Sequence, residues 1–541
     1  MSLMSPRGLV LPTALFAVLC IYALITAVQL TVSQNYQVTR QGHDKTRARY
    51  LAHAACQLVL KGLNEDAGFE AAHKGFDARL VTPMEGGRLE SWVEPTDKTD
   101  VILVRGLGTL DNGASQPFGL TVRKRPIVAG RVYTRPGVSN ATTFYGIAAE
   151  RLTSGAATPE DWQPVPPVPN TYYDSKGNVV DGTSDESTRN DFTAFARWVA
   201  ADTRGNLFAI RYREDRPDTV LKLDGTTQKW SLLPPVPNSR YSSAGTLIPT
   251  TTTASALTDL VSDGDNRLYV RNGKDGIDTV WTMDLSATTP SWSALPPTPL
   301  HNVDRYGNST PVPNRFVGNL RDFSAAPDGT LFARHSREGV DALYKYDGRW
   351  SLLPPTPKTY YRRVRDPLTG QYMLEAVQSE DGLAAYNLKG LSSNRDSELY
   401  AVFSRDGIDT IYKYDGSKWE VLPPAPAIFL QNAALETTGG TSTQGAGNVT
   451  ESAVDGAGNL YVRWVREGVD SLFMYSPDRG RYWLVPPIPN RQWSKRGPSP
   501  TLLDYSDRTG NQGILPNLYE LTGGGKRDPA GRWRYTPKGT F

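Results

Sequence analysis

The sequence predicts a mainly β protein: a six-bladed β-propeller preceded by a long N-terminal helix and a small α+β domain. Two features support this prediction, a phrase of the form W-x-x-L-P-P that returns along the chain and an uncharged apolar segment near its start. The phrase reads "QKWSLLPPVPN", "PSWSALPPTPL", "GRWSLLPPTPK", "SKWEVLPPAPA" and "RYWLVPPIPN", with a looser "EDWQPVPPVPN" ahead of them. Its tryptophans are Trp162, Trp230, Trp292, Trp350, Trp419 and Trp483. Recurrence at such intervals is typical of a repeat architecture.

Length and composition agree with this class. A chain of 541 residues is too long for one ordinary core, and 49 glycines with 40 prolines favour many short strands joined by tight turns. The formal net charge of +3 gives no general affinity for polyanions. The chain has two cysteines, Cys20 and Cys56, both near its start, which excludes a disulfide framework for the rest of the protein.

The segment from residue 9 to 32 contains no charged side chain. A helix of this length spans roughly 36 Å, enough for a bilayer core of about 30 Å, so we expect it to contact the membrane. Beyond it the pattern becomes amphipathic, with Leu51, Ala55, Leu58 and Val59 at helical spacing. One continuous helix over 9–62 is predicted, apolar first and then packed on a small domain over 63–128.

This small domain contains three strand-like runs, "RLESWVEP", "DVILVRGLGTL" and "FGLTVRKRP". A long helix followed by a small antiparallel sheet resembles the type IV pilin and pseudopilin family, and "MSLMSPRG" resembles its leader (residues 1–8), with cleavage between Gly8 and Leu9. The resemblance implies assembly with other pilin-like subunits. The family's glutamate at the fifth mature position is replaced by Thr13, as in minor pseudopilins at a filament tip.

The charges that flank the apolar segment predict a different membrane orientation from the one that the pilin resemblance implies. Arg7 precedes the apolar segment, whereas Arg40, Lys45, Arg47 and Arg49 follow it. The positive-inside rule would place the large domain in the cytoplasm. The pilin-like interpretation places it outside, and we favour that interpretation because the basic residues belong to a helix that continues and packs.

The remaining chain, 129–541, is predicted to form the propeller. In "DFSAAPDGTLFARHSREGVDALYKYDGRWSLLPP" four strand-sized runs are separated by short turns, and other copies repeat the order. Four short strands per repeat is the signature of a propeller blade. The order resembles the kelch repeat, but the double glycine of its second strand is missing, so the resemblance is to a kelch-like propeller.

Ring closure is predicted to use both ends of this region. "TTFYGIAAERL" supplies a third strand before Trp162, and "TLLDYSDRTG" and "NLYELTGG" supply a first and a second strand. Sharing one blade between the ends gives six blades. Alternatively, "GRWRYTPKG" begins a seventh.

The loops between blades should emerge on one face, together with the turns between second and third strands. Their shared feature is arginine and aromatic residues, which suit stacking on sugars, planar groups or protein surfaces. The candidates are Tyr172, Tyr173, Arg240, Tyr241, Arg305, Tyr306, Tyr360, Tyr361, Arg362, Arg491 and Trp493. The alternative is that these aromatics pack beneath the loops.

No catalytic motif, cofactor motif or metal spacing is recognisable. We therefore predict no enzyme activity, no cofactor, no metal and no nucleic-acid partner. His301 and His335 are the two propeller histidines, and neither lies near a recurring acid or thiol in the sequence.

The predicted function is a membrane-anchored, pilin-like subunit of a type IV pilus or type II secretion-type filament. It would display the propeller for binding or adhesion to a protein or glycan. The predicted location is the inner membrane with a periplasmic propeller, or the cell surface on a filament. The alternatives are a signal-anchored propeller scaffold without a filament role and an extracytoplasmic propeller enzyme.

Overall fold

A computed structural model divides the chain into two compact units, residues 1–127 with 528–541, and residues 128–527. The structure describes residues 10–541 except 67, 97–100, 127, 137–140, 183–190, 213–215, 274–275, 337–339, 380–383, 386, 405–406, 432–435, 440–444, 466–469, 478, 498, 505–517, 528–532 and 538–541. The predicted processing residues Gly8 and Leu9 lie outside this part.

The first unit begins with one helix, α1, over Val10–Glu65. Its stretch from residue 18 has a mean hydropathy of 1.4 over its most apolar window, and none of that window is buried. An apolar helix of this kind is long enough to serve as a membrane anchor or as a signal. A short helix, Phe69–Ala72, and a 3-10 turn, Phe76–Ala78, follow it.

The second half of α1 packs on an antiparallel sheet. In spatial order the strands are Leu80–Met84, Gly87–Pro95, Val101–Leu110, Ser115–Pro126 and Trp533–Pro537. The helix lies directly on the third strand, because a Cβ at Gly106 or Gly108 would come within 2.3 Å or 2.1 Å of carbonyl oxygens of α1. The core between them contains Cys56, Val59 and Val104. The three predicted strands are present, and the strand over 80–84 was missed.

The last strand, Trp533–Pro537, corrects the predicted domain boundary. It pairs antiparallel with Ser115–Pro126, with Pro126 opposite Trp533. Residues 528–541 therefore belong to the first unit and not to the propeller region, and this strand does not begin a seventh blade. The second unit is thus inserted in the sequence between two neighbouring strands of the first unit's sheet.

Within the described residues, the second unit contains six four-stranded antiparallel sheets, numbered here along the chain. Sheet 1 is Ala196–Ala201, Leu207–Arg211, Thr219–Leu223 and Trp230–Leu232; sheet 2 is Leu257–Ser262, Arg267–Asn272, Thr279–Asp284 and Trp292–Ala294; sheet 3 is Leu320–Ala325, Leu331–His335, Ala342–Tyr346 and Trp350–Leu352. Sheet 4 is Leu388–Ser393, Leu399–Phe403, Thr410–Tyr414 and Trp419–Val421; sheet 5 is Val449–Val454, Leu460–Trp464, Ser471–Ser476 and Arg481–Leu484; sheet 6 is Leu518–Arg527, Val128–Pro136, Tyr145–Ala148 and Gln163–Pro164.

These sheets form a closed ring, the arrangement of a β-propeller. The first strand of each sheet contacts the first strand of the next, and the first strand of sheet 6 contacts those of sheets 5 and 1. Apolar residues of adjacent sheets share the clusters between them; Phe208 of sheet 1 and Val270 of sheet 2 lie in one such cluster. The first strands therefore surround the axis of the ring.

Sheet 6 is shared between the ends of the unit, but its strands differ from the prediction. The C-terminal segment supplies one strand, Leu518–Arg527, and the N-terminal segment supplies three, beginning with Val128–Pro136. The expected strand in "TLLDYSDRTG" pairs elsewhere, in a hairpin with Arg491–Trp493. The segment Val128–Pro136 was missed because it follows the preceding strand without a recognisable turn signal. A short helix, Ala149–Thr153, and a 3-10 turn, Pro159–Asp161, precede the last strand of sheet 6.

A two-stranded hairpin follows the fourth strand of every sheet. Hairpin 1 is Thr171–Tyr173 with Val179–Asp181, hairpin 2 is Arg240–Tyr241 with Leu247–Ile248, and hairpin 3 is Pro299–Val303 with Ser309–Phe316. Hairpin 4 is Thr359–Arg365 with Tyr372–Gln378, hairpin 5 is Ile428–Gln431 with Glu436–Gly439, and hairpin 6 is Arg491–Trp493 with Leu502–Asp504.

The recurring phrase forms the contact between adjacent sheets. In each sheet an aromatic side chain on the fourth strand, or directly before it in sheet 6, donates a hydrogen bond to the carbonyl of the first proline of the preceding sheet's double proline. The pairs are Trp230–Pro166, Trp292–Pro234, Trp350–Pro296, Trp419–Pro354, Tyr482–Pro423 and Trp162–Pro486, at 2.8–3.0 Å. In sheet 5 the aromatic residue at this position is Tyr482 and not Trp483, the tryptophan of the repeated motif. Trp483 instead lies beside the guanidinium of Arg481, 4.7 Å from its ring centre.

A second link joins the sheets near the axis. The carboxylate of the aspartate that precedes the third strand accepts the backbone N–H of the first residue of the next sheet's first strand. The pairs are Asp218–Leu257 (2.8 Å), Asp278–Leu320 (2.5 Å), Asp341–Leu388 (2.6 Å) and Asp409–Val449 (2.6 Å).

Candidate functional site

The hairpins and the turns between second and third strands lie on one face of the ring. Backbone hydrogen bonds join the two loop types, from Asp218 N to Ala254 O (2.9 Å) and from Asp409 N to Ala446 O (3.0 Å). The predicted sorting of loops onto faces is therefore confirmed. All eleven candidate residues lie in hairpins 1, 2, 3, 4 and 6 on this face, which we call the hairpin face.

Three aromatic candidates contact the adjacent sheet. Tyr241 and Tyr361 donate their hydroxyl hydrogens to the carbonyls of Leu295 (2.5 Å) and Leu422 (2.6 Å). The indole of Trp493 donates to the carbonyl of Val165 at 2.7 Å. Each acceptor is the residue before a double proline. Burial raises the pKa of Tyr361 to about 12, so its hydroxyl stays protonated and remains a donor.

Tyr172 and Tyr173 of hairpin 1 are buried. The guanidinium of Arg211 lies 4.1 Å from the Tyr172 ring centre, and that of Arg216 lies 5.0 Å from it and contacts the Tyr172 hydroxyl. These two tyrosines therefore stiffen the base of hairpin 1, and their rings offer little area to an external ligand.

The remaining candidates reach solvent. Arg240, Arg305, Arg362 and Arg491 are exposed, Tyr306 is 52% exposed, and Tyr360 is half-buried. The Arg305 guanidinium lies over the Tyr306 ring at 4.8 Å and donates to its hydroxyl at 2.6 Å. Arg362 pairs with Glu375 at 2.9 Å across hairpin 4. Exposed charged and aromatic groups are thus distributed around the hairpin face and not gathered in one cluster.

A second group of charged residues surrounds the axis, and sequence reasoning missed it. The first strands of sheets 2, 3 and 6 carry an acid in the left-handed backbone region, Asp259 (φ 53°), Asp322 (φ 51°) and Glu520 (φ 58°). In sheet 5 the acid beside the corresponding irregularity is Glu451. Residues other than glycine uncommonly adopt this backbone conformation, and it occurs where each first strand bulges away from its partner.

Each of these acids pairs with an arginine on the second strand. The distances are 2.9 Å for Arg271–Asp259, 2.6 Å for Arg334–Asp322, 2.8 Å for Arg463–Glu451 and 2.9 Å for Arg135–Glu520. In sheets 2, 3 and 5 the same arginine also contacts the aspartate before the third strand. We call these groups the axial acid–arginine clusters. Burial raises the pKa of Asp322, Glu451 and Glu520, while the facing guanidinium acts in the opposite direction.

A sequence signal for these clusters exists. In sheets 2, 3 and 5 the acid and the arginine are 12 residues apart. Sheet 4 has Gly390 and Val402 at the corresponding positions, so both charged partners are replaced together. Sheet 1 has Trp198 at the bulge, again with positive φ, and Ile210 opposite. This spacing rule would have identified the clusters.

The two propeller histidines are found in different elements. His301 is in hairpin 3, 5.9 Å from the Tyr344 ring, and His335 is buried at the end of a second strand. Across the described ranges, no three His, Cys, Asp or Glu side chains come together as a group that could hold a metal ion.

Comparison with known proteins finds distant solved structures and no sequence match. No family profile and no curated protein sequence matches this chain. Among solved structures, TolB from Acinetobacter baumannii is 10% identical, with 81% of this chain and 83% of that chain covered and a TM-score of 0.34. The β-propeller domain of the Trilobed protease from Pyrococcus furiosus is 8% identical, covering 75% and 97%, with a TM-score of 0.31. Pyrococcus horikoshii acylaminoacyl peptidase is 7% identical, covering 78% and 57%, with a TM-score of 0.30.

Proposed function

We propose that this protein is a membrane-anchored β-propeller that binds a partner through its hairpin face. Each four-stranded sheet is one blade, so the propeller has six blades. The observation that supports binding at this face is its composition, since exposed Arg305, Tyr306 and Arg362 lie there. Arginine and tyrosine are enriched in binding surfaces because both combine apolar area with polar groups.

The N-terminal part is proposed to be pilin-like, and the protein to be a minor subunit of a pilus or secretion-type filament. Support comes from the 56-residue helix, whose first part is exposed and whose second part packs on an antiparallel sheet. Such a subunit would assemble with other pilin-like subunits and present the kelch-like propeller in the periplasm or on the cell surface.

Mass spectrometry of the mature N-terminus tests the filament role. A chain that begins at Leu9 supports processing as a prepilin. An intact Met1 removes the filament role and leaves the membrane-anchored binding protein.

A second candidate is a signal-anchored scaffold without a filament role. The favouring observation is the excess of basic residues after the apolar segment, Arg40, Lys45, Arg47 and Arg49 against Arg7 before it. Protease treatment of cells with a permeabilised outer membrane separates the two orientations. Digestion of the propeller under these conditions supports the extracytoplasmic orientation, and digestion that requires lysis supports the scaffold.

The proposed face is tested by binding. The double substitution Arg305→Ala with Arg362→Ala removes exposed charge from two hairpins, and glycan-array binding and crosslinking in cells are compared with the unsubstituted chain. The matched control is Lys229→Ala, which removes a basic residue outside the hairpins, between the third and fourth strands of sheet 1. Loss with the double variant alone supports the face, and equal binding by all three proteins contradicts it.

A further inference from the structure

Hairpin 4 has the longest unbroken strand pairing among the described hairpins. Its strands pair over seven positions, from Thr359 opposite Gln378 to Arg365 opposite Tyr372. Beyond the tethered Tyr361, every side chain of both strands is exposed or half-buried. An isolated two-stranded ribbon with both faces in solvent is only marginally stable by itself, so its length is not explained by packing.

The tip of hairpin 4 is apolar. Leu368 is 94% exposed at the turn, and Tyr372 and Met373 at the start of the return strand are 58% and 53% exposed. The turn itself is well ordered by hydrogen bonds, because Asp366 accepts the N–H of Leu368 at 2.9 Å and the hydroxyl of Thr369 at 2.6 Å. The fold therefore holds three large apolar or aromatic side chains in water at one end of the hairpin, and such a group of exposed apolar residues indicates an interaction site.

Arginines surround this tip on both faces of the ribbon. Side chains alternate along a strand, so Arg363 and Arg365 lie on one face and Arg362 on the other. Arg362 pairs with Glu375, and Arg365 donates to the carbonyl of Gly370 at 3.1 Å. A partner bound to one face of the ribbon would contact only the arginines of that face. A flat anionic surface that contacts the end of the hairpin would contact the apolar tip and the arginines of both faces.

We propose that hairpin 4 inserts its tip into the surface of an anionic lipid bilayer. Leu368 and Met373 enter the boundary between head groups and acyl chains, Tyr372 lies at the interface, and the arginines extend to the lipid phosphates. This deepens the proposed function, because it names the class of surface to which the hairpin face adheres.

The experiment uses the full chain held in phosphatidylcholine nanodiscs. The apolar helix is then already embedded in lipid and does not itself bind the added vesicles. Vesicles of phosphatidylcholine with or without phosphatidylglycerol are then added, and vesicle binding is measured by flotation. A photo-crosslinking amino acid in place of Leu368 reports what the tip touches. The matched control carries the same amino acid in place of Val179, which is 61% exposed in hairpin 1 on the same face.

The expected result is binding to phosphatidylglycerol vesicles alone, with a lipid adduct at position 368 and none at position 179. Arg363→Glu should weaken binding by more than the roughly fivefold that loss of one surface arginine produces. Arg363 is chosen instead of Arg365 because the Arg365 side chain supports the turn. Leu368→Asp provides a second variant. A protein adduct at position 368, equal adducts at both positions, or no preference for phosphatidylglycerol overturns the proposal.

These outcomes are separable from the proposed function. A protein adduct at position 368 would leave partner binding at the hairpin face standing. Equal glycan and protein binding by the Arg305→Ala, Arg362→Ala variant and the unsubstituted chain, together with a lipid adduct at position 368, would contradict the partner-binding face and leave the bilayer contact standing.

Discussion

The indole nitrogen of Trp292 donates a hydrogen bond to the backbone carbonyl of Pro234 at 2.8 Å, and this contact joins the fourth strand of sheet 2 to the end of sheet 1. Corresponding bonds link every sheet to the one before it, including Trp162 to Pro486 across the shared sheet. The double proline both ends its own strand, because it lacks ladder donors, and leaves a carbonyl free for the neighbouring aromatic residue. The phrase therefore recurs because a ring needs the same junction at each sheet.

We predict that Trp292→Phe lowers the free energy of unfolding by about 1 kcal/mol more than Trp281→Phe does. Both residues are buried in sheet 2, but among the described residues the Trp281 indole N–H has no hydrogen-bond partner. The two changes remove similar volume, so the difference reports the bond to Pro234. Urea unfolding of the two variants measures it. Equal losses would show that this junction contributes only packing.

The axial acid–arginine clusters give a second prediction. Arg334→Val leaves Asp322 and Asp341 without their cation, and breaking such a buried pair typically costs about 3 kcal/mol or more. Adding Asp322→Gly reproduces the arrangement of sheet 4, where glycine and valine occupy these positions. The double variant should therefore recover much of the lost stability in the same urea titration. If the double variant is less stable than Arg334→Val alone, the proposed equivalence of sheets 3 and 4 fails.

Asp263 gives a prediction about pH. Burial raises the pKa of its carboxyl to about 6, although three turn amides donate to it. Because the folded state holds the proton more tightly than the unfolded chain, its contribution to stability is complete below about pH 3.8. It is lost as the pH rises toward 6. Asp263→Asn keeps an oxygen acceptor without the charge, so stability should fall less steeply between pH 4 and 6 in this variant.

The control for this experiment is Asp415→Asn. Hydrogen bonds from the turn residues Lys418 and Ser417 lower the pKa of Asp415 to about 2, so its titration lies below the tested range. This variant should change the overall stability but not its slope between pH 4 and 6. An unchanged slope in Asp263→Asn, measured by chemical unfolding at each pH, would contradict the assignment.

Gly523 lies in the C-terminal strand of sheet 6, where this strand passes close to sheet 5. A Cβ at this position would lie 1.8 Å from the carbonyl oxygen of Val454 in sheet 5. Gly523→Ala should therefore destabilise the second unit by about 1–3 kcal/mol, because the backbone must shift. Gly458→Ala is the comparison, since open space surrounds that turn glycine and only its positive φ is strained. If thermal unfolding shows a larger loss of stability for Gly458→Ala than for Gly523→Ala, the close contact between Gly523 and sheet 5 is contradicted.

The repeated residues predicted the sheets well, because each copy carries the same strands, turns and proline stop. The hydrogen-bonding aromatic residue of sheet 5 could not be identified from the sequence, because "RYW" contains two adjacent aromatic residues and the pattern does not indicate which of them faces Pro423. The strand Val128–Pro136 was missed because a strand that passes directly from one sheet into another carries no turn residues to mark the change.

The candidate site was predicted in part. The loops that form the hairpin face were identified from the sequence. Whether an aromatic side chain of these loops points outward depends on whether a backbone carbonyl of the next sheet accepts its hydrogen bond, as the carbonyl of Leu422 does from Tyr361. The axial clusters were missed because their partners come from different strands, and bulges at Asp259 and Asp322 change which side chains face the axis.

Ring closure between Leu518–Arg527 and Val128–Pro136 is the feature on which the binding face, the junctions and the clusters all depend. Ala129 lies opposite Lys526 in this pairing, and both are exposed. In a background with Cys20→Ser and Cys56→Ala, the pair Ala129→Cys with Lys526→Cys should form a disulfide on mild oxidation, seen as a mobility shift on a non-reducing gel. Ala129→Cys with Leu503→Cys, which places the second thiol in hairpin 6, should not. A disulfide in the 129–526 protein alone is the predicted result, and its absence, or an equal yield in both proteins, would contradict the closed ring.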